Sequence, residues 1–300
     1  MPDITKTPVP VAYGLWPYTL NRIDKNTSRS YELPPSKTMA GEVVISHNPE
    51  GDMLPSNGAV VKSTTSIIDR VIRNHGLEIW NRQHIATSLK QNQGSSVDDS
   101  LIETVLSSAT QEAQHSAGIG QTMHSIIEGL LNGQEVALSE QLEPAATAFL
   151  RFQNLKEQSG WKFLSSETAV WNYEDNARYA GTIDCLYQHH GDLIIVDWKT
   201  SSGLYESAYL QLASYIHALQ QMIENNTWLS KKPRVSGYLV RFINYYPRSD
   251  GRKDRTQEKI FEDKLEISAV DPDIWYPRFL SCCDLLTLPS LVRSAGVETI

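Results

Sequence analysis

Apolar positions recur at helical spacing in the first half of the chain and, from Trp161 onward, at strand spacing. Ile67, Ile68, Val71 and Ile72 fall on one helical face behind Ser63-Thr64-Thr65, a hydroxyl-rich start that can cap a first turn. That helix is expected to end at Gly76. A second helical pattern covers residues 77–88 and carries Trp80, and residues 91–96 form a polar linker. Asp98 and Asp99 open a helical region that runs towards Leu131 and is expected to break near Gly118-Ile119-Gly120. Pro144 begins an amphipathic helix through Ala148, Phe149, Phe152 and Leu155 that stops at Gly160.

Three strands follow, over residues 163–173, 180–187 and the apolar run ending at Lys199, with His190-Gly191 as the hairpin turn between the last two. Residues 204–223 read as a helix and 235–246 as a β-branched, aromatic strand paired antiparallel with 259–267. Asp271-Pro272 begins a last helix with Trp275, Phe279 and Leu280 inward. This order predicts an α/β sandwich around a mixed central sheet. Residues 1–57, rich in Pro, Asn, Ser and Thr with one apolar run at Val43-Val44-Ile45, predict an irregular or partly ordered arm with one hairpin. The expected division is this arm, a helical region over 58–114, a core over 115–290 and a tail over 291–300.

The hairpin carries the chemistry. Side chains on a strand alternate faces, so Asp197 and Lys199 point the same way, and a turn centred on His190-Gly191 sets Asp184 opposite Asp197. One Asp-x-Lys on a strand is ordinarily a solvated ion pair. Here Leu193 and Ile195 share its face, which argues for burial, and buried like charges about 5 Å apart are costly without a cation between them. Two carboxylates with a lysine alongside suggest a hard divalent metal and a group that handles water or phosphate. His124 and Glu128 are helical neighbours four residues apart.

Composition narrows the setting. Hydrophobic residues at 40% and charged residues at 21% describe an ordinary globular protein. No apolar run reaches membrane-spanning length, and Met1-Pro2-Asp3 does not begin a signal peptide. Three cysteines, Cys185, Cys282 and Cys283, have neither metal spacing nor an even disulfide set, so the chain reads as cytosolic. A net charge of −8 disfavours a general nucleic-acid coat. Yet residues 231–259 hold nine basic residues against three acidic ones, a local net of +6, interleaved with Tyr245 and Tyr246. A basic hairpin with aromatics suits single-stranded nucleic acid; a solvated loop kept soluble by its charge is the other reading.

Taken together, Gly120-x-Thr122-x-His124, Glu167, Gly181-Thr182-Ile183-Asp184, Asp197-Trp198-Lys199-Thr200-Ser201 and Gln211-x-x-x-Tyr215 resemble the PD-(D/E)XK nuclease superfamily. The likeness is to its RecB-like exonuclease branch, with the phage and mitochondrial genome maintenance exonucleases. It covers roughly residues 115–220, with the motifs in the family's order. Ile183 stands in place of the family's proline and Asp197 in place of its commoner glutamate. The four-cysteine iron–sulfur cluster of some relatives is missing, as is a Gly-x-x-x-x-Gly-Lys phosphate loop.

The resemblance implies a restriction-endonuclease-like sandwich with an N-terminal helical extension. It implies Mg²⁺ or Mn²⁺ bound by His124, Asp184, Asp197 and the Trp198 carbonyl, with Lys199 orienting or deprotonating water and Glu167 holding Lys199 or a water at the metal. Gln211 and Tyr215 would contact DNA or brace the site, with Thr200, Ser201, Arg241 and Arg248 in support. The implied activity is a metal-dependent DNA exonuclease for single-stranded or end-bearing DNA in recombination, repair or phage DNA processing. A recombinase or single-strand annealing protein would be its partner, in a bacterial or phage-infected host cytoplasm. An endonuclease of the same fold and an inactive DNA-binding module are the alternatives.

Overall fold

The structure is a computed structural model that describes residues 4–9, 20–25, 28–32, 60–72, 82, 85–90, 92, 94, 98–172, 177–224, 229–249, 252–253 and 258–294. Its elements in chain order are β1 (Ile4–Val9), β2 (Leu20–Lys25), β3 (Ser28–Glu32), β4 (Val60–Ser63), α1 (Thr64–Val71), α2 (Asp99–Leu131), α3 (Glu143–Gln158), β5 (Lys162–Asn172), β6 (Tyr179–His189) and β7 (Asp192–Lys199). Then follow α4 (Glu206–Glu224), β8 (Val235–Tyr245), β9 (Arg248–Ser249), β10 (Arg252–Lys253), β11 (Ile260–Ala269) and α5 (Pro272–Ser294). Among the described residues nine strands form one mixed sheet in the order β1-β2-β3-β4-β6-β7-β8-β11, with β5 against the other edge of β6. β9 and β10 pair with each other as a separate ribbon.

Period-two alternation builds the two layers. On β7, Leu193 and Ile195 pack with α4 and α5, whereas Ile194, Val196 and Trp198 pack with α2 and α3. Both faces of β7 are therefore covered by helices, and its residues are buried without a break from Leu193 to Trp198. The β6–β7 turn is tight because His190 and Gly191 both adopt positive φ, 52° and 91°, as a two-residue hairpin loop requires. Among the described residues the predicted α/β sandwich with a mixed sheet is what the chain forms.

Three expectations need correction. The helix from Asp99 does not break at Gly118-Ile119-Gly120 but continues to Leu131, capped by Asp98, whose Oδ1 accepts the Leu101 N–H at 2.9 Å. Interior glycine costs a helix only about 1 kcal/mol, and the packing of Ile119, Met123, Ile126 and Ile127 outweighs it. The helix capped by Ser63 ends at Val71, well short of Gly76, with Ile72 already extended. Of the run 77–88, residues 82 and 85–88 are helical, the helix continuing to Lys90, and Trp80 lies outside the described residues. The arm is also not irregular throughout. β1, β2 and β3 form an antiparallel meander that joins the main sheet through β4. The run Val43-Val44-Ile45 lies outside the described residues.

Candidate active site

The site sits where the sheet forks. β6 pairs with β5 along its length. On its other edge it pairs parallel with β4 at Tyr179 and Ala180, then antiparallel with β7 from Cys185 onward. Gly181 to Asp184 occupy the gap between the diverging partners. At the end of the β6–β7 ladder the Asp184 side chain replaces a backbone acceptor, and its Oδ2 takes the Trp198 N–H at 2.8 Å. The Trp198 ring is fully buried, edge-on to Phe149 and Phe152 with centroids 5.3 Å away, and its Nε1–H donates to Cys185 Sγ at 3.2 Å. This anchor fixes both the amide that holds Asp184 and the carbonyl that faces His124 Nε2 at 3.2 Å.

α2 delivers His124 to the fork, its Nδ1 3.5 Å from Asp184 Oδ1. The Asp184 charge, reinforced by a hydrogen bond and by Asp197, holds the imidazole pKa up at about 9 against the opposing effects of burial and Lys199. Burial alone would raise the Asp184 carboxyl. The His124 charge and hydrogen bond, Lys199 and the Trp198 N–H outweigh it, and the pKa lies below the ordinary value. The His124 imidazole and the Asp184 carboxylate thus each favour the other's charged form.

Glu167 completes the group. It lies on β5 between the pairs Ser166–Cys185 and Thr168–Ile183 and so faces Asp184 across the ladder. Ligand atoms of His124, Glu167 and Asp184 all fall within 4.8 Å of one another. Glu167 has φ 48° in mid-strand, a conformation costly for a side-chain-bearing residue and characteristic of functional sites. Glu167→Gly is therefore expected to leave Tm equal or higher, since glycine accepts this φ, while lowering metal-dependent cleavage by about 100-fold. Thermal melts and a cleavage assay on one preparation check both halves.

On the α4 face of β7, Asp197 is 1% exposed and its Oδ2 lies 2.6 Å from Lys199 Nζ. Burial raises the Asp197 carboxyl, Lys199 lowers it and Asp184 raises it again, for a net value of about 6. Burial disfavours the Lys199 ammonium, but Asp197 and Asp184 more than restore it, so its pKa lies above the ordinary lysine value. Lys199 Nζ donates to Gln211 Oε1 at 3.2 Å, and Gln211 Nε2 donates to the Tyr215 hydroxyl at 3.1 Å. The Tyr215 ring lies directly on Gly181, where a Cβ would stand 2.2 Å from Cε1. The loss of a side chain at Gly181 thus seats the last member of a chain that steers the lysine.

These residues fit a divalent cation. The trio, with the Trp198 carbonyl beside it, offers oxygen ligands and one nitrogen, a set suited to Mg²⁺ or Mn²⁺. Lys199 lies against Oδ2 of the buried Asp197 carboxylate, whereas Oδ1 accepts no hydrogen bond and is left for a second cation's charge to act on.

The model of the PD-(D/E)XK nuclease superfamily matches residues 73–270. The chain belongs to this superfamily. It is also 31% identical over 107 residues to mitochondrial genome maintenance exonuclease 1 of Mus musculus, a match covering 33% of this chain and 30% of that protein. The chain thus spans less than a third of that relative's length.

In this superfamily member the loop after β7 is tied down by residues that sequence reading missed. Asn244 Nδ2 donates to the Thr200 and Ser201 carbonyls at 3.1 and 3.2 Å, and Lys259 Nζ donates to the Thr200 carbonyl at 3.2 Å. Both side chains are buried. They lie more than forty residues beyond the motif, and only a sheet register could have brought them into view. Thr200 Oγ1 packs on Gly120 of α2, 3.1 Å from where a Cβ would stand. Arg241 Nε donates to Glu266 at 2.6 Å and its Nη1 to the Ser202 carbonyl at 3.1 Å, so its charge is already partnered. Arg248 lies on the β9–β10 ribbon, and its side chain lies outside the described residues. Glu128 shows no shared role with His124: it is exposed on α2.

Proposed function

We propose that this nuclease is a metal-dependent DNA exonuclease acting on single-stranded or end-bearing DNA. The observation that carries the proposal is the trio of His124, Glu167 and Asp184 beside the Asp197–Lys199 pair. His124, Glu167 and Asp184 would hold Mg²⁺ or Mn²⁺, with Asp197 and the Trp198 carbonyl next to them. Such an ion supplies a low-pKa water and neutralises phosphate charge. Lys199, aimed by Asp197 and Gln211, orients the attacking water and stabilises negative charge as it develops on the phosphate. Asp184, held by the Trp198 amide, keeps its carboxylate on the reacting side of the fork.

An exonuclease mode is supported by the name of the murine relative, and strand binding by the basic segment 231–259 with its tyrosines. On this reading the enzyme trims DNA during recombination, repair or phage DNA processing, beside a recombinase or single-strand annealing protein, in a bacterial or phage-infected cytoplasm. Among the described residues no helix is long and apolar enough to cross a membrane.

One gel tests the proposal. Linear single strands labelled at either end, linear duplex and circular single strand are incubated with Mg²⁺, Mn²⁺ or EDTA. Loss of linear DNA only with metal, with the circle intact, is the expected result, and the label released first gives the polarity. Cutting of the circle would instead make the enzyme an endonuclease. Binding without turnover would make it a DNA-binding module.

A further inference from the structure

The loop between Lys199 and α4 is held far more firmly than a surface connection needs. Asn244 and Lys259 fix its first two carbonyls, and Arg241 fixes the Ser202 carbonyl. Within the loop, Ser201 Oγ donates to the Gly203 carbonyl at 2.7 Å. The object this scaffold presents is a ring. Tyr205 is 49% exposed, six residues beyond the lysine of the reacting centre, with its hydroxyl 2.9 Å from Ser202 Oγ. Its ring lies over Gly203, 3.6 Å from where a Cβ would stand.

An exposed tyrosine contributes little to folding, and a rigid exposed ring is useful mainly for contact with another flat surface. The surroundings decide which contact. Arg241 is spent on Glu266 and on the loop itself, and Glu206 follows Tyr205 directly, so no described cation here awaits a phosphate. What remains is an exposed aromatic face on the anchored loop that leads directly from Lys199, and such a face stacks on bases without reading their sequence.

We propose that Tyr205 is a base-stacking platform, a positioning residue that holds the nucleotide adjoining the scissile phosphate. The inference rests on the nuclease reading above. Stacking on a ring fixed by Ser202 limits strand motion at the phosphate and requires a base splayed from its duplex partner, which favours single-stranded or frayed ends.

The experiment measures binding of single strands in EDTA, and cleavage with Mn²⁺, using oligonucleotides in which one base at a time is replaced by an abasic unit. For the wild type, one abasic position near the cleaved bond is expected to weaken binding and raise KM about 5- to 100-fold. Tyr205→Ala loses the same factor on the intact strand but little more on the abasic one, whereas Tyr205→Phe keeps the stacking surface and most of the discrimination, losing only the part that the Ser202 hydrogen bond adds. The two losses are non-additive only if ring and base touch. An equal loss for Tyr205→Ala on intact and abasic strands would overturn the platform and leave the nuclease standing. A wild type that binds no DNA strand would overturn the nuclease reading and the platform with it.

Discussion

Lys199→Met lowers metal-dependent cleavage by about 10²- to 10³-fold, the usual cost of losing one preorganised charge aimed at a developing anion. The same change also strikes the fold. Asp197 is 1% exposed and its nearest cation is the Lys199 ammonium at 2.6 Å. Removing one partner of a buried pair costs about 3–5 kcal/mol, and in a domain of this size about 10 °C in Tm. The double variant Lys199→Met, Asp197→Asn is expected to regain most of that stability and none of the activity, because no buried charge is then left unpaired.

The pH dependence follows from the direction of the Asp197 shift. Its carboxyl is held near 6 against an ordinary value of 3.8, with burial the largest cause, and without Lys199 it rises further. The folded state therefore binds a proton more tightly than the unfolded chain. In metal-free Lys199→Met the penalty is full at pH 8 and eases as pH falls through the native pKa, since the fold gains the neutral acid that burial prefers. Melts in EDTA at pH 6 and 8 for the wild type and both variants check this. A Tm loss of equal size at both values would mean that Asp197 is not the charged group at fault.

The residues that sequence reading could place were those fixed by local periodicity. Asp184, Asp197 and Lys199 lie on one two-strand hairpin, whose turn and alternation can be counted without knowing the rest of the fold. His124 lies seventy-four residues before Trp198, and the likeness to a family, rather than spacing, is what brought it to the site. The fork itself was not legible. It depends on β4 and β7 sharing one edge of β6, and a parallel pairing between residues 62–63 and 179–180 leaves no local mark. The same limit explains β1 to β3, whose polar strands are specified by a neighbour's open edge more than by their own pattern. The glycines of α2 misled for a related reason. Gly120 looked like a helix break, yet it is the point where α2 closes on Thr200 with no room to spare.

Gly181 makes the same argument with a larger consequence. A methyl at this position would stand 2.2 Å from Tyr215 Cε1, 2.7 Å from Cζ and 2.8 Å from the hydroxyl, contacts that no rotamer of alanine can avoid. Gly181→Ala must therefore push the ring aside in a buried layer, and such overpacking costs about 1–3 kcal/mol. The displaced hydroxyl can no longer receive the Gln211 amide, and Gln211 is the acceptor that orients Lys199. A shift of about 1 Å in a positioned group is enough to cost roughly 100-fold in rate, and that is the loss expected for Gly181→Ala in kcat. Tyr215→Phe keeps the ring and removes only the hydroxyl, so it should retain stability and lose a smaller part of the rate. Adding Tyr215→Ala to Gly181→Ala relieves the clash but empties a buried ring's place, so the pair should cost less than the sum of the two single changes, which a double-mutant cycle of Tm values reads. If Gly181→Ala cleaves at the wild-type rate, then Lys199 is positioned without Gln211 and Tyr215.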